Sequence, residues 1–218
     1  FANSNNINFL ICVNLINIEL YFFKTFNYVS HMFAYKKKYF LIIQNIKDIN
    51  LNNIKKNNKF VIIFRNQKPS DTIDSLIKFR KMCKIKGIEF FVANNSKLAI
   101  LLKSDGVYIS AFNKSFKQLN LKKLNKKILG SAHNFKEINE KRKQGCSYII
   151  LSKLFRVDYA PLEKFYGVVK FNLLRGQKNL IPLGGIKLVN LNKTKLIKSE
   201  GIAIMSEIKK KPAISSRL

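Results

Sequence analysis

Two segments near the end of this 218-residue chain, IPLGGI (181–186) and GIAIMSEI (201–208), have the residue types best suited to chemistry. Gly184 and Gly185 carry no Cβ, so their backbone N–H groups can approach an anion closely. Met205 and Ser206 close the second segment, where the start of a following helix would offer further unpaired N–H donors. The two together read as a phosphate cradle; a double glycine alone would read equally well as a bare tight turn. His133, in ILGSAHN (128–134), is a side chain able to transfer protons near neutral pH, with a purely structural histidine as the plainer alternative. With only 12 acidic residues, no Ser-His-Asp set can be argued.

A cradle of this kind needs strand ends to hold it. Apolar, β-rich runs recur at 39–44, 60–65, 89–93, 106–110, 127–132, 148–155, 180–186 and 201–206. Several are apolar almost without interruption, as parallel strands buried on both faces should be. Lysine-studded helix candidates lie between them at 70–87, 95–104, 134–145, 164–177 and 191–200. In the first, Ser70 or Asp71 can cap the start, Ile73, Leu76, Ile77 and Met82 form the apolar face, and Gly87 closes the end. Eight strands alternating with helices predict an α/β fold, a single-domain (β/α)₈ TIM barrel of parallel strands. An open doubly wound sheet is the alternative, weakened because no G-x-G-x-x-G follows the first strand. In such a barrel the loops after strands seven and eight commonly bind phosphate, which is where Gly184, Gly185, Met205 and Ser206 fall.

Composition bounds the partners. The 41 Lys and Arg residues give a formal charge of +29. Only six are Arg, the residue suited to bidentate phosphate and base contacts. The lysines are scattered, and Asn and Ile are abundant, which reads as A/T-rich codon bias rather than a selected nucleic-acid surface. Specific nucleic-acid binding is therefore not expected, but small anionic ligands should be attracted. Cys12, Cys83 and Cys146 form no C-x-x-C pair, which suggests reduced thiols, a cytoplasmic setting and no structural zinc. The apolar run 9–23 is broken by Asn14, Asn17 and Glu19 and is shorter than the roughly 20 residues a spanning helix needs. Residues 1–31 read as an extension ahead of a start at Met32, with a membrane-surface anchor as the rival. Residues 32–208 read as the barrel, and 209–218 as a basic, disordered tail. Oligomeric state is left open.

From Lys38 to about Ile208 the chain resembles the thiamine-phosphate synthase family and its TenI-type thiazole tautomerase relatives. The likeness is carried by FRNQK (64–68), FVANNSKLAILLKSDGVYI (91–109), ILGSAHN (128–134), YIILSKLF (148–155), and PLGGI (182–186) with GIAIMSEI. The resemblance implies a transferase of thiamine biosynthesis. It would join hydroxymethylpyrimidine diphosphate to thiazole phosphate and release diphosphate, with Mg²⁺ and basic residues stabilising the leaving group. It puts Arg65 at a diphosphate-binding arginine, Ser131 near the reacting groups, and Gly185, Met205 and Ser206 at the thiazole-phosphate cradle. Two Mg²⁺-binding aspartates of the family fall on Asn94 and Asn113, whose amides bring no charge. Ile63 and Ala93 replace a glutamine and an asparagine, and a family lysine falls on Gln67, next to Lys68. The family's lysine-ending loop becomes SKLFRVDYAPLEK, where Lys164, or else Lys153 or Arg156, can substitute. His133 coincides with the histidine that the tautomerase branch uses for proton transfer. A synthase with a degraded site, a tautomerase, and a non-catalytic phosphate-ligand-binding paralogue all follow from this resemblance. Charge-driven polyanion binding is a further reading.

Overall fold

The computed structural model describes residues 37–54, 59–66, 71–174 and 179–205. The expectations for 1–31 and 209–218, and those for Lys68 and Ser206, lie outside the described residues. Eight strands are present: β1 (Lys38–Ile43), β2 (Phe60–Phe64), β3 (Glu89–Ala93), β4 (Gly106–Ile109), β5 (Lys127–Ala132), β6 (Tyr148–Ser152), β7 (Leu180–Leu183) and β8 (Gly201–Ile204). All neighbouring pairs are parallel, in the order β7-β6-β5-β4-β3-β2-β1-β8. The outer members β7 and β8 lie against each other, so the sheet curls into a nearly closed barrel.

Alternation within each strand sorts the core into two bodies. Phe40, Ile42, Val61, Ile63, Phe91, Tyr108, Leu129, Ile150, Ile181 and Ala203 fill the barrel interior. Their strand neighbours, such as Leu41, Ile43, Ile62, Phe90, Val92, Ile128 and Leu151, face the surrounding layer. Burial of each such side chain stabilises by about 1.5–3 kcal/mol, and this double demand is why the runs lack polar gaps. Two rings inside need small neighbours. A Cβ on Gly201 would come within 2.9 Å of the Phe40 ring, and one on Gly106 within 2.7 Å of Phe91.

The interior closes below with charge. Glu89 Oε1 accepts from Lys38 Nζ at 3.1 Å and from Lys127 Nζ at 3.0 Å. The Tyr148 ring packs on Phe40 (5.9 Å between centroids), and its hydroxyl donates to Glu200 at 2.5 Å. Burial, then that carboxylate, pushes the phenol to about 12.

Among the described residues, four α-helices surround the barrel: α1 (Ile73–Ile85), α2 (Ser96–Leu101), α3 (Phe135–Lys143) and α4 (Gly167–Leu173). The expected helix at 191–200 is instead a 3₁₀ segment, Leu188–Leu196. There Asn190 accepts from the Lys187 N–H and donates to the Gly185 carbonyl, local bonds that compete with α-helical ones. Two short 3₁₀ turns join β1 to β2, and Lys117–Leu124 joins β4 to β5. The start of α1 also corrects the expectation. Thr72 caps it by accepting from the Ser75 N–H, while Asp71 accepts from the Ile46 N–H across the rim. Its buried face is Leu76, Phe79, Arg80 and Cys83, whereas Ile73 and Met82 are exposed. Phe79 sets that rotation by meeting the Phe90 ring edge-on at 5.9 Å. Arg80 anchors it, reaching Asp105 at 2.9 Å. No helix among the described residues is long and apolar enough to cross a membrane.

Candidate active site

Because every strand runs the same way, all their C-terminal ends meet at one rim. Arg65 follows β2, Asn94 follows β3, and Asn113 lies on the loop after β4. Ser131 is the penultimate residue of β5, and His133 follows it. Gly184 and Gly185 follow β7, and Met205 follows β8. The predicted residues that are described therefore share one mouth of the barrel. β7 and β8 are neighbours, so the Gly184–Gly185 turn and Met205 follow adjacent strand ends.

Alternation continues the interior upward from Ile63 to Arg65, from Tyr108 to Ser110, from Leu129 to Ser131 and from Ile150 to Ser152. The floor of the mouth thus carries an arginine after β2 and three serines at the ends of β4, β5 and β6. Tyr108 is buried beneath it. Burial pushes its phenol up, opposed by a hydrogen bond with Ser131 and by the Arg65 charge. Arg65 and Ser131 thus both bear on one buried hydroxyl.

Beside this floor, Asn94 and Asn113 meet. Asn113 Nδ2 donates to Asn94 Oδ1 at 3.1 Å. Asn94 Oδ1 also accepts from the Ser110 N–H at 3.1 Å and the Ser110 hydroxyl at 3.0 Å. Asn94 Nδ2 donates to Ser110 Oγ at 2.7 Å. Asn113 Oδ1 accepts from the Ser115 N–H at 3.0 Å. A backbone N–H, which can only donate, fixes the orientation of each amide. An amide oxygen has two lone pairs, and three donors already point at Asn94 Oδ1. These residues do not fit a Mg²⁺ ion, which needs free, preferably anionic, oxygens.

The loop bearing Asn113 is secured from behind. Lys141 of α3 is fully buried, and its ammonium donates to the Asn113 carbonyl at 2.7 Å and to Gln144 Oε1 at 2.9 Å. Gln144 Nε2 reaches the carbonyls of Asn113 (3.0 Å) and Ser115 (2.9 Å). Gly130 leaves room for the lysine stem, since a Cβ there would meet Lys141 Cδ at 3.1 Å. Burial pushes the ammonium below the ordinary lysine value.

On the other flank, His133, Ser152, Lys153, Lys164, Tyr166 and Lys170 are among the residues lining a cleft of about 400 Å³. His133 Nδ1 lies 3.0 Å from Glu137 Oε2, which also accepts the His133 N–H at 2.8 Å. Burial pushes the Glu137 carboxyl up, but His133 and Asn134 outweigh it and leave it below the usual range. With Nδ1 bound to a carboxylate, Nε2 is the nitrogen left for exchange with a ligand. Lys153 pairs with Glu163 and stands 5.1 Å over the Tyr159 ring, whereas Lys164 forms no ion pair among the described residues. Cys83 and Cys146 are free thiols, and burial pushes both to about 12, in keeping with packing roles.

The turn after β7 is held against the β6–α4 loop. Gly184 has φ +98° and Gly185 φ +66°. The Leu183 and Gly184 carbonyls accept from the Leu154 and Phe155 N–H groups at 2.8 and 3.0 Å. Both expected strands end early as a result, β6 at Ser152 and β7 at Leu183. Among the described residues, no protein oxygen accepts from the N–H of Gly184 or Gly185.

Comparison with known proteins agrees with this architecture. Residues 45–208 match the family model described as thiamine monophosphate synthase. The chain belongs to that family. It is 26% identical over 157 residues to a thiamine-phosphate synthase of Clostridioides difficile, covering 71% of this chain and 75% of the relative. It is 28% identical over 146 residues to one of Prochlorococcus marinus, covering 66% of this chain but only 42% of the relative. In three dimensions it is similar to a thiamine phosphate pyrophosphorylase of Pyrococcus furiosus. The TM-score there is 0.65 at 18% identity, over 84% of this chain and 95% of that one. The likeness extends to 3-hexulose-6-phosphate synthase of Salmonella typhimurium, with a TM-score of 0.57 at 11% identity. These structural likenesses share the barrel fold.

Several features of this thiamine monophosphate synthase family member escaped the sequence reading. Glu137 was legible in principle, because Asn134 followed three residues later by Glu is a capping-box spacing. Lys141, Gln144, Ser110 and Ser152 gave no local signal, since only the barrel brings them to the rim.

Proposed function

We propose that this chain is a thiamine-phosphate-synthase-type transferase acting at the C-terminal mouth of its barrel. Arg65, with Lys164 and Lys68, would hold the diphosphate of a hydroxymethylpyrimidine substrate. Ser131 would sit beside the reacting carbon. The N–H groups of Gly184 and Gly185, with Met205 and Ser206, would hold the phosphate of the thiazole partner. The carbon–oxygen bond to diphosphate breaks, and the thiazole nitrogen takes its place. Cations fixed near the departing oxygens favour that charge separation, because a preorganised site need not reorient to receive it. The supporting observation is that Arg65, Ser131 and the Gly184–Gly185 turn share one rim in a chain whose family is established.

The test supplies both precursors to the purified protein and measures released diphosphate. Release is expected, falling at least about tenfold in Arg65→Ala. No release, combined with no rise in melting temperature on adding thiazole phosphate, would refute the reading. One geometry favours a second activity: His133, oriented by Glu137, faces the cleft with Nε2 available, as a thiazole tautomerase would require. In that case His133→Asn abolishes proton exchange on the thiazole, while the synthase assay stays silent.

A further inference from the structure

We propose that the rim holds its phosphorylated ligand through protein cations and amides alone, with no divalent cation at the ends of β3 and β4. This rests on the phosphate-binding reading above and concerns the chemistry of the same mouth. The Asn94–Asn113 pair is a closed clasp, not a vacant ligand set. To turn Asn94 Oδ1 toward a metal, the side chain must surrender the Ser110 N–H and hydroxyl. Turning Asn113 Oδ1 away from its present position likewise gives up the Ser115 N–H, and left in place it offers one neutral lone pair. Either change strands a donor that now has a partner, at about 1–3 kcal/mol each if it stays dry.

The loop cannot readily move as a unit, because Lys141 and Gln144 grip the Asn113 carbonyl. That grip also sets an ammonium 2.7 Å from the Asn113 carbonyl oxygen, with Lys114 next in sequence. A dication would be repelled there and an anion attracted. Among the described residues, no group of three or more His, Cys, Asp and Glu gathers that could hold a metal elsewhere. The charge a dication would supply is available from the protein: Arg65 and Lys164 form no ion pair among the described residues.

The experiment titrates inorganic diphosphate into the full chain by calorimetry, in EDTA and again in excess Mg²⁺, at physiological ionic strength. In parallel, Mn²⁺ is titrated and followed by electron paramagnetic resonance, with and without diphosphate. Diphosphate affinity should agree within about threefold between the two conditions, weaken in Arg65→Ala, and bring no bound Mn²⁺. The Asn94→Asp/Asn113→Asp double variant should gain Mn²⁺ affinity by at least about tenfold. Should that variant fail to fold, the wild-type titrations decide alone. Diphosphate binding at least about tenfold weaker in EDTA, or Mn²⁺ retained by the wild type, would overturn the proposal. Absence of diphosphate binding in both conditions would instead remove the phosphate-binding reading itself.

Discussion

Gly185 and Gly167 share the same left-handed φ of +66° but sit in opposite surroundings. A Cβ at Gly167 meets nothing within 4 Å. A Cβ at Gly185 would lie 2.4 Å from the Arg156 carbonyl oxygen and 2.7 Å from the Phe155 carbonyl carbon and oxygen. Alanine at either site incurs about 1–2 kcal/mol for the left-handed backbone. At Gly185 the clash is with backbone, and that backbone is tied down. Phe155 N–H bonds the Gly184 carbonyl at 3.0 Å, and Asn190 bonds the Gly185 carbonyl at 2.7 Å. Relief would require the ends of β6 and β7 to part, an overpacking cost of about 1–3 kcal/mol. Gly185→Ala should therefore be the worse variant by that difference, about 2–12 °C in melting temperature for a domain of this size. Differential scanning calorimetry of both variants measures it directly, and Gly185→Ala should also lose thiazole-phosphate binding. Equal melting temperatures would show that the turn yields to a methyl group. A turn that soft cannot be a preformed cradle.

Two further outcomes follow from the pairing and burial of other groups. Burial pushes the Glu89 carboxyl up, but Lys127 and Lys38 outweigh it, so its folded value lies below the ordinary one. The resulting stability is complete above about pH 4.3, the unfolded value, and is lost as pH falls through the folded value. Glu89→Gln should flatten that acid limb in urea titrations and lose no more than about 1 kcal/mol at neutral pH; an unchanged limb would refute the assignment. With thiols pushed to about 12, Cys83 and Cys146 should resist iodoacetamide at pH 8 in the native protein, as resolved by peptide mass spectrometry. Native labelling of Cys83 as fast as in denaturant would contradict its burial.

The strands were readable because burial on both faces forces an apolar run, and strand ends deviated only where tertiary geometry intervened. Nothing local in PLGGI distinguishes a strand continuing to 186 from one stopped at Leu183 by two positive-φ glycines. The face of α1 was misread because Ile73 and Met82 look as apolar as Phe79 and Cys83, and the choice between them is made by Phe90 and Asp105 on other elements. The helix expected at 191–200 overlaps the 3₁₀ segment Leu188–Leu196, where Asn190 bonds locally instead. At the rim, the family resemblance pointed to Arg65, Asn94, Asn113 and Ser131, and the strand end itself pointed to His133. Neither gave any means of knowing that Ser110 and Asn113 would fill Asn94 Oδ1, since that depends on groups aimed by the loop.

The same reasoning recasts the net charge of +29, which composition alone treats as a uniform background. At the lower mouth the interior acid Glu89 is shared by two lysines. At the upper mouth, inward-facing positions carry Arg65, Ser110, Ser131 and Ser152, with no carboxylate among them. Among the described residues, the acids near the rim are already hydrogen-bonded or paired. Asp48 and Asp71 accept backbone N–H groups, Glu137 takes His133, Glu163 takes Lys153 and Asp158 takes Lys187. An anion entering from above therefore meets Arg65 with no carboxylate at the described inward-facing positions, over a floor whose low-dielectric walls strengthen the attraction. Two aspartates at 94 and 113 would partly cancel that field unless a dication came with them. Two asparagines leave it intact, as the metal-free binding proposed above requires.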